Sequence, residues 1–385
     1  MGGFAWVTLA TNDSYSLGAL VLAHSLRRVN TVHQLAVLVT PGVTPSMREK
    51  LGAVFDSVTE VNVLDSRDAA NLALLARPDL GITFTKLHCW RLTQYDKCCF
   101  LDADTLVVQN CDELSEREEF SAAPDVGWPD CFNSGVFVFK PSQDTFKSLM
   151  EFALQFGSFD GGDQGLLNLY FKDWAHKDIS KHLPFIYNMC STACYSYLPA
   201  FKQFGTQVKI VHFIGASKPW ICYLDSESGV VQAPGEFGHV QNLLQYWWDV
   251  FCQDVHSNLS PAMAGLAGAL ANLTLGAPRS AEQTALEDQW RRQSWEQGHI
   301  DYMGRDSFDN IWSRVLKSPQ PSPEALKVEP TPPGTPPVGA PAAASAATEP
   351  LDPNAPVPPK RKGSGGAGAA AKGSTSNSGY SCSLG

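Results

Sequence analysis

Apolar runs alternate with amphipathic segments along the first hundred residues. Runs at 4–11, 35–40 and 58–64 predict buried strands. Asn12 and the polar residues after it are typical of a helix start, and apolar residues then recur at helical spacing; a second helix is predicted over 45–55. Continuous apolar strands joined by helices are typical of a parallel sheet that is covered on both faces. We therefore expect an α/β fold.

The pattern becomes looser after the first hundred residues. We expect a helix that leads into a short apolar strand at 97–101, and further strands and helices that close the domain near residue 235. The expected helices are at 83–95, 143–156 and 166–174, and the expected strands are at 132–140 and 208–214.

Composition divides the chain into four parts. We predict a folded domain over 1–235 and a partly helical linker over 236–289. Residues 318–385 are dominated by Pro, Ala, Gly and Ser; such a segment buries too little apolar surface to offset its chain entropy, so we expect disorder. Between them, residues 290–317 predict one amphipathic helix. Its apolar stripe is Phe308, Ile311, Trp312, Val315 and Leu316.

Two interpretations of that helix remain open. It either docks back on its own domain or lays its stripe into the groove of a partner protein. The polar and Pro-rich flanks favour the partner.

Charge and cysteine usage exclude several classes of function. The formal net charge is −10, which argues against non-specific nucleic-acid binding, since that needs a basic face. No run of about 18 apolar residues predicts a membrane span, and the N-terminus does not read as a secretory signal. Ten cysteines occur without a CxxC pair, which argues against a zinc site. We expect a cytoplasmic protein with reduced thiols.

The most informative segment is KCCFLDADT, residues 97–105. A buried strand ends there in Asp102, Ala103 and Asp104, and ligands of open α/β sheets bind outside the carboxyl ends of strands. Mg²⁺ and Mn²⁺ prefer oxygen ligands and hold the phosphate oxygens of substrates. A metal–diphosphate site and a plain acidic turn both fit these residues. The nucleophile loop of haloacid-dehalogenase phosphatases fits less well, because Leu106 stands where that motif has Thr or Val.

Several longer strings, in one consistent order, carry a resemblance to a known family. They are FLDADT, CFNSGVFVF, FDGGDQG, VHFIGASKPW, TKLHCW and LPFIYN. Over residues 4–220 the chain resembles glycosyltransferase family 8, and in particular its self-glucosylating glycogen primers. The resemblance resumes at 295–311, which is similar to the segment with which those primers bind glycogen synthase.

The resemblance implies a single Rossmann-like domain of the GT-A type, a homodimer, UDP-glucose as the donor, and Mn²⁺ as the cofactor with Mg²⁺ as a possible substitute. It implies a retaining transfer of glucose to a tyrosine of the chain itself, followed by extension through α-1,4 links into a nascent glucan. The match places that tyrosine at Tyr195, with Tyr197 as the alternative. Glycogen synthase is expected to bind residues 295–316, which begin with Trp295 and end with Leu316.

The resemblance also assigns individual roles. Asp102, Asp104 and His212 would bind the metal, and Asp160, Asp163 and Lys86 would join Tyr195 in catalysis. The residues expected to contact UDP-glucose are Leu9, Thr11, Asn12, Tyr15, Arg77, Lys86, Asp102, Ala103, Asp104, Asn133, Ser134, Asp160, Asp163, Gln164, His212, Gly215 and Lys218.

Considered without the resemblance, these residues have simpler explanations. His212 reads as a structural histidine, Asp163 as a helix N-cap and Tyr15 as a core residue, while Arg77 and Lys86 read as solvated surface charges. Two rival functions also stay open: glucosyl transfer to a separate acceptor, and a non-catalytic scaffold that recruits glycogen synthase. The residues do not separate a double displacement through Asp163 from front-face attack.

Overall fold

The computed structural model describes residues 2–75, 77–176, 178–192, 197–233, 235–277 and 280–283, together with 285, 286, 289 and 292. Tyr195 and the predicted helix with the Phe308 stripe lie outside the described residues, as does the tail 318–385. The predictions for those segments therefore stay predictions.

Eleven strands are numbered here in chain order within the described residues. They are β1 Phe4–Ala10, β2 Gln34–Val39, β3 Ser57–Glu60, β4 Lys97–Leu101, β5 Thr105–Val107, β6 Ser121–Pro124, β7 Phe132–Phe139, β8 Met189–Cys190, β9 Ile210–His212, β10 Tyr223–Leu224 and β11 Val231–Gln232.

Helices connect these strands. The α-helices are α1 Asp13–Arg28, α2 Pro45–Val54, α3 Ala69–Leu74, α4 Gln143–Phe156, α5 Asp163–Tyr170, α6 Leu198–Phe204, α7 Gln241–Val250 and α8 Gly265–Ala271. The 3-10 helices are Pro78–Arg91, Asp112–Glu116, Ile179–Lys181, Phe185–Tyr187, Gly205–Gln207, Pro219–Ile221, Gly235–Val240 and His256–Asn258, and Phe251–Val255 is a π-helix.

The main sheet has six strands in the order β3-β2-β1-β4-β7-β6. The first four run parallel, and β7 and β6 add antiparallel pairings at the other edge. The α/β fold class is thus confirmed, but the sheet is mixed rather than wholly parallel. A second sheet, β5-β9-β8, forms beside the end of β4.

Both faces of the main sheet are buried, because successive side chains of a strand point to opposite faces. On β1, Trp6 belongs to one buried cluster while Ala5 and Val7 belong to the other. The second cluster contains a ladder of aromatic rings in which Phe137 stacks on Phe100 and Trp90. This packing holds β4 and the 3-10 helix Pro78–Arg91 in fixed positions behind the site.

The predicted α-helix over 83–95 is instead the 3-10 helix Pro78–Arg91. Its residues from Phe84 to Trp90 are all buried, so this segment has no exposed face of an amphipathic helix. The helix predicted over 166–174 begins three residues earlier, at Asp163, directly after the glycine-rich turn.

The packed core continues past residue 235, where the sequence analysis ended the domain. Leu244, Trp247 and Trp248 of α7 are buried in the same cluster as α1, and Trp247 stacks on Phe251. Their i, i+3, i+4 spacing is the helical signal that the composition-based boundary overlooked. Within the described residues, no helix is long and apolar enough to cross a bilayer.

Candidate active site

Strand pairing brings three metal-binding side chains together. Asp102 follows β4, Asp104 precedes β5, and His212 is the last residue of β9. Because Thr105 pairs with His212 across the small sheet, the acidic turn lies next to the histidine. Asp102, Asp104 and His212 each offer a ligand atom, and these atoms lie within 4.8 Å of one another.

Asp104 lies between two cationic groups. Its Oδ1 is 3.4 Å from Nε2 of His212, and its Oδ2 accepts a hydrogen bond from Nζ of Lys218. Burial acts to raise the pKa of Asp104, but Lys218 and His212 outweigh it and hold that pKa below the usual value. Against the opposing effect of burial, Asp104 raises the pKa of His212 to about 10. Asp104 is therefore ionised, as a metal ligand must be.

Asp102 contacts a third cation. Its Oδ1 is 3.0 Å from Nζ of Lys86, and that Nζ also lies 2.7 Å from Oδ2 of Asp163 and donates to the carbonyl oxygen of Ser134 at 3.1 Å. Burial raises the pKa of Asp102 above the usual carboxyl value, although Lys86 favours the ionised form. Only 4% of the Lys86 side chain is exposed, so Lys86 is not a solvated surface charge.

The glycine-rich turn positions two further carboxylates. Gly161 has φ +79, a left-handed conformation that favours glycine, and Oδ1 of Asp160 accepts the backbone N–H groups of Gly162 and Gly165 at 2.9 and 3.0 Å. Burial raises the pKa of Asp160. Gly162, not Asp163, is the N-cap of α5, which leaves the Asp163 carboxylate facing Lys86.

Amide side chains link this turn to β7. Gln164 Oε1 accepts the N–H of Ser134 at 3.2 Å, while the side-chain amides of Gln164 and Asn133 both donate to Oδ2 of Asp125, at 3.1 and 2.9 Å. Asn188 connects Asn133 to His212.

Sequence reasoning missed Asp125 and Asn188. Asp125 directly follows β6, at the end of a strand next to β7, and this is the signal that could have found it.

Several partly buried side chains meet where β1 joins α1. Asn12 Oδ1 caps α1 by accepting the N–H of Tyr15 at 3.0 Å, and the Tyr15 ring meets Trp220 edge-on at 5.3 Å between centroids. Burial raises the pKa of Tyr15, although the nearby Lys218 opposes this. Thr11 and the partly exposed Leu9 line the same corner.

Close backbone contacts shape the corner. Gly18 packs so tightly that an added Cβ would lie 2.4 Å from the carbonyl oxygen of Ala103. Arg77 forms a two-point ion pair with Asp79, at 2.9 Å from Nε to Oδ1 and 2.7 Å from Nη2 to Oδ2. Gly215 has φ +109, so the chain after β9 turns in a way that other residues rarely adopt.

Comparison with known proteins identifies the family. Residues 6–222 match the model of "Glycosyl transferase family 8". The chain belongs to this family. It is 52% identical to mouse glycogenin-1 over 320 residues, which are 80% of this chain and 96% of the relative. It is also 52% identical to rabbit glycogenin-1 over 325 residues, 81% and 97% of the two chains, and 49% identical to human glycogenin-1 over 337 residues, 80% and 96%.

The predicted resemblance to the glycogen primers of family 8 is confirmed by these relatives, and the chain is accordingly a glycosyltransferase. The GT-A-type α/β fold agrees with that membership.

The side chains of Asp102, Asp104 and His212 suit a divalent cation. Two carboxylates and an imidazole, all within 4.8 Å, match the ligands that Mn²⁺ and Mg²⁺ accept in proteins. Nδ1 of His212 is engaged by Asn188, so Nε2 is the nitrogen on the side of Asp104. Nζ of Lys218 donates a hydrogen bond to Oδ2 of Asp104 and adds a positive charge beside the cation site.

Proposed function

We propose that this family 8 member transfers glucose from UDP-glucose to its own Tyr195 and extends it into a short α-1,4-glucan that primes glycogen synthesis. The observation that carries the proposal is the group formed by half-buried Asp102 with buried Asp104 and His212, flanked by Lys86 and Lys218, in a chain about half identical to glycogenin-1 of three mammals over some 80% of its length.

Asp102, Asp104 and His212 would hold Mn²⁺, with Mg²⁺ as a substitute. The bound ion would neutralise the negative charge that develops on the diphosphate as the bond to the glucose breaks. Lys218 would support the same phosphate as a point charge, since its Nζ is already held next to Asp104. Gly215, three residues after β9, would let the backbone approach the diphosphate closely.

The corner between β1 and α1 would hold the nucleoside. Leu9, Thr11 and Asn12 would border it, and the Tyr15 ring, which meets Trp220 edge-on, would stack on uracil. Arg77 would contact the donor after exchanging its partner Asp79 for a substrate oxygen.

The glucose would lie between Lys86 and the glycine-rich turn. Lys86 remains protonated, because Asp102 and Asp163 outweigh the effect of burial and raise its pKa above the usual value. It thereby holds the Asp163 carboxylate in place near the anomeric carbon. Asn133, Ser134, Asp160 and Gln164 surround the same space and would orient the sugar hydroxyls.

The first acceptor is a phenol, of which only about one molecule in a thousand is ionised at neutral pH. Its proton must pass to a carboxylate or to the departing phosphate. Asp160, whose pKa is raised by burial, would take that proton, while Asp163 stays paired with Lys86. Retention follows either from a double displacement through Asp163 or from front-face attack.

The position of Tyr195 in the chain supports its role. Cys190 pairs with His212 across β8 and β9, so the described chain is beside the site five residues before Tyr195. Five residues span at most about 18 Å, which limits how far the phenol can lie from the metal ligands of its own subunit.

The proposal extends to organisation and partners. We propose that the catalytic domain extends past residue 235 to include α7 and α8, because both helices contribute to its core, and that it is followed by a glycogen synthase-binding segment over 290–317 and a tail over 318–385. The protein would act as a homodimer in the cytoplasm.

Crystals soaked with UDP and MnCl₂ test the site. The proposal predicts an anomalous manganese peak bounded by Asp102, Asp104 and His212, with the diphosphate against Lys218. Nucleotide bound without an ion at these side chains would contradict it.

A further inference from the structure

A line of hydrogen bonds runs from the Asp125 loop to the candidate metal ligand His212. Oδ2 of Asp125 accepts from Nδ2 of Asn133 at 2.9 Å, and Oδ1 of Asn133 accepts from Nδ2 of Asn188 at 2.8 Å. Oδ1 of Asn188 then lies 3.0 Å from Nδ1 of His212. Asn133 and Asn188 are each 1% exposed, so bulk water cannot replace either contact.

Asp125 determines which atom donates and which accepts at every hydrogen bond of this line. The Asp125 carboxylate accepts hydrogen bonds from Gly127, Asn133 and Gln164, so it requires the NH₂ group of Asn133 and turns the Asn133 oxygen inward. The N–H of Gly135 donates to that oxygen at 3.0 Å and holds the same orientation. The Asn133 oxygen in turn requires the NH₂ group of Asn188, which leaves the Asn188 oxygen facing His212.

The Asn188 oxygen, at the end of this line, fixes where the His212 ring carries its proton. An amide oxygen at Nδ1 of His212 requires a proton on that nitrogen, so in the neutral ring Nε2 carries the lone pair. Nε2 is the nitrogen 3.4 Å from Oδ1 of Asp104, inside the group that can hold a cation.

We propose that Asp125 and Asn188 are positioning residues that set the tautomer of His212 and so present Nε2 to the divalent cation. The proposal rests on the metal site proposed above. Residues that orient a metal-bound histidine through its second nitrogen tune metal affinity in proteins generally. Asp125 acts here through two intervening amides, without belonging to the metal-binding group itself.

The variant Asp125→Asn tests this order, because Asn has nearly the same size as Asp but adds a donor NH₂ group at residue 125. Oδ1 of residue 125 stays with the N–H of Gly127, which it accepts at 2.7 Å, so the new NH₂ group faces the NH₂ group of Asn133. Turning over both inner amides relieves the conflict, at the cost of the bond from the N–H of Gly135 to the Asn133 oxygen. The NH₂ group of Asn188 then faces Nδ1 of His212, so a ring that binds a metal through Nε2 no longer has an acceptor for its Nδ1–H. We expect Mn²⁺ binding to weaken about 10-fold.

A second substitution restores a hydrogen-bond acceptor at Nδ1 of His212. In the double variant Asp125→Asn with Asn188→Asp, the turned amide of Asn133 donates to the new carboxylate, whose other oxygen accepts the Nδ1–H of His212. Mn²⁺ affinity should recover in part, because the new carboxylate accepts the Nδ1–H of His212 although the turned Asn133 still lacks its bond from the N–H of Gly135. A role of Asp125 in packing alone predicts the opposite, because the double variant would be at least as damaged as the single one.

The test is a titration of Mn²⁺ followed by electron paramagnetic resonance, on the full chain at a fixed concentration of UDP. Asp130→Asn is the matched control, since it removes the same charge from an exposed position of the same loop and should leave affinity unchanged. Should Asp125→Asn not fold, as judged by circular dichroism, Asn188→Leu replaces it and should weaken binding more than Asn188→Asp, which keeps an acceptor at Nδ1 of His212.

Weakened binding that the second substitution restores supports the proposal. Unchanged affinity in the folded Asp125→Asn protein, or a double variant no better than the single one, overturns it. A parent chain that binds no Mn²⁺ overturns the metal site itself, so the two failures are distinguishable.

Discussion

Nζ of Lys86 lies 2.7 Å from Oδ2 of Asp163, and the two side chains are only 4% and 8% exposed. The same Nζ is 3.0 Å from Asp102, so one buried cation joins the acidic turn after β4 to the start of α5. A buried charge that loses its partner is strongly destabilising, because nothing then offsets its removal from water. Lys86 therefore has a structural role in addition to the role proposed for it in catalysis.

Replacing Lys86 tests both roles. The variant Lys86→Met leaves Asp163 and Asp102 buried without their cation, and we expect the free energy of unfolding to fall by about 3–5 kcal/mol, together with loss of glucosyl transfer. Urea denaturation measures the first effect. Lys50→Met is the control, because its pair with Glu49 is near the surface and should contribute at most about 1 kcal/mol. Equal, small effects in the two variants would contradict the prediction.

The acidic pair is the subject of the second prediction. Asp102→Ala and Asp104→Ala each remove one metal ligand, so each should abolish transfer from UDP-glucose in the presence of Mn²⁺, as a chelator should in the parent chain. Asp130→Ala changes an exposed carboxylate and should remain active. Full activity of either ligand variant with the metal chelated is the result that the metal role does not allow.

The third prediction concerns pH in the metal-free protein. Although burial opposes it, Asp104 raises the pKa of His212 from 6.5 to about 10. A raised pKa in the folded state means that the pair stabilises the fold fully below pH 6.5, and that this contribution is lost as the pH rises through about 10. The difference in free energy of unfolding between the parent chain and His212→Gln should shrink over that range. A constant difference would show that His212 does not titrate with Asp104.

The acceptor is tested by two conservative variants. Tyr195→Phe removes the phenol and should stop self-glucosylation while hydrolysis of UDP-glucose continues, because the donor site is intact. Tyr197→Phe, two residues on at an exposed position, should still become labelled. Peptide mass spectrometry locates the glucose; a glucosylated peptide in the digest of the Tyr195→Phe protein would move the acceptor to another residue.

Local sequence patterns predicted the parts of the fold that depend on local chemistry. The apolar run before Asp102 is β4, and Asn12 caps α1. The pattern did not predict the 3-10 helix Pro78–Arg91, because burial on every side removes the periodicity that distinguishes helix types. It also ended the domain before α7, where the composition changes although Trp247 and Trp248 remain in the core.

The residues of the candidate site also divide into those that the sequence pattern could identify and those that only the folded chain brings together. The two aspartates after β4 could be found from their spacing, but Lys86 read as a surface charge because its burial depends on aromatic rings from β4 and β7. Asp125 lies in none of the recognised strings, and Asn188 ends LPFIYN, where nothing in the sequence marks its side chain. Their importance arises from hydrogen bonds between residues 8 to 55 positions apart, which only the folded chain defines.

Self-glucosylation is the central claim, and the intact mass of the protein tests it most directly. The full chain, freed of any sugar, is incubated with UDP-glucose and Mn²⁺ and then weighed by mass spectrometry. The account predicts a ladder of hexose additions on the protein, absent when the metal is chelated. An unchanged mass, whether glucose is transferred to a free acceptor or not at all, would contradict it.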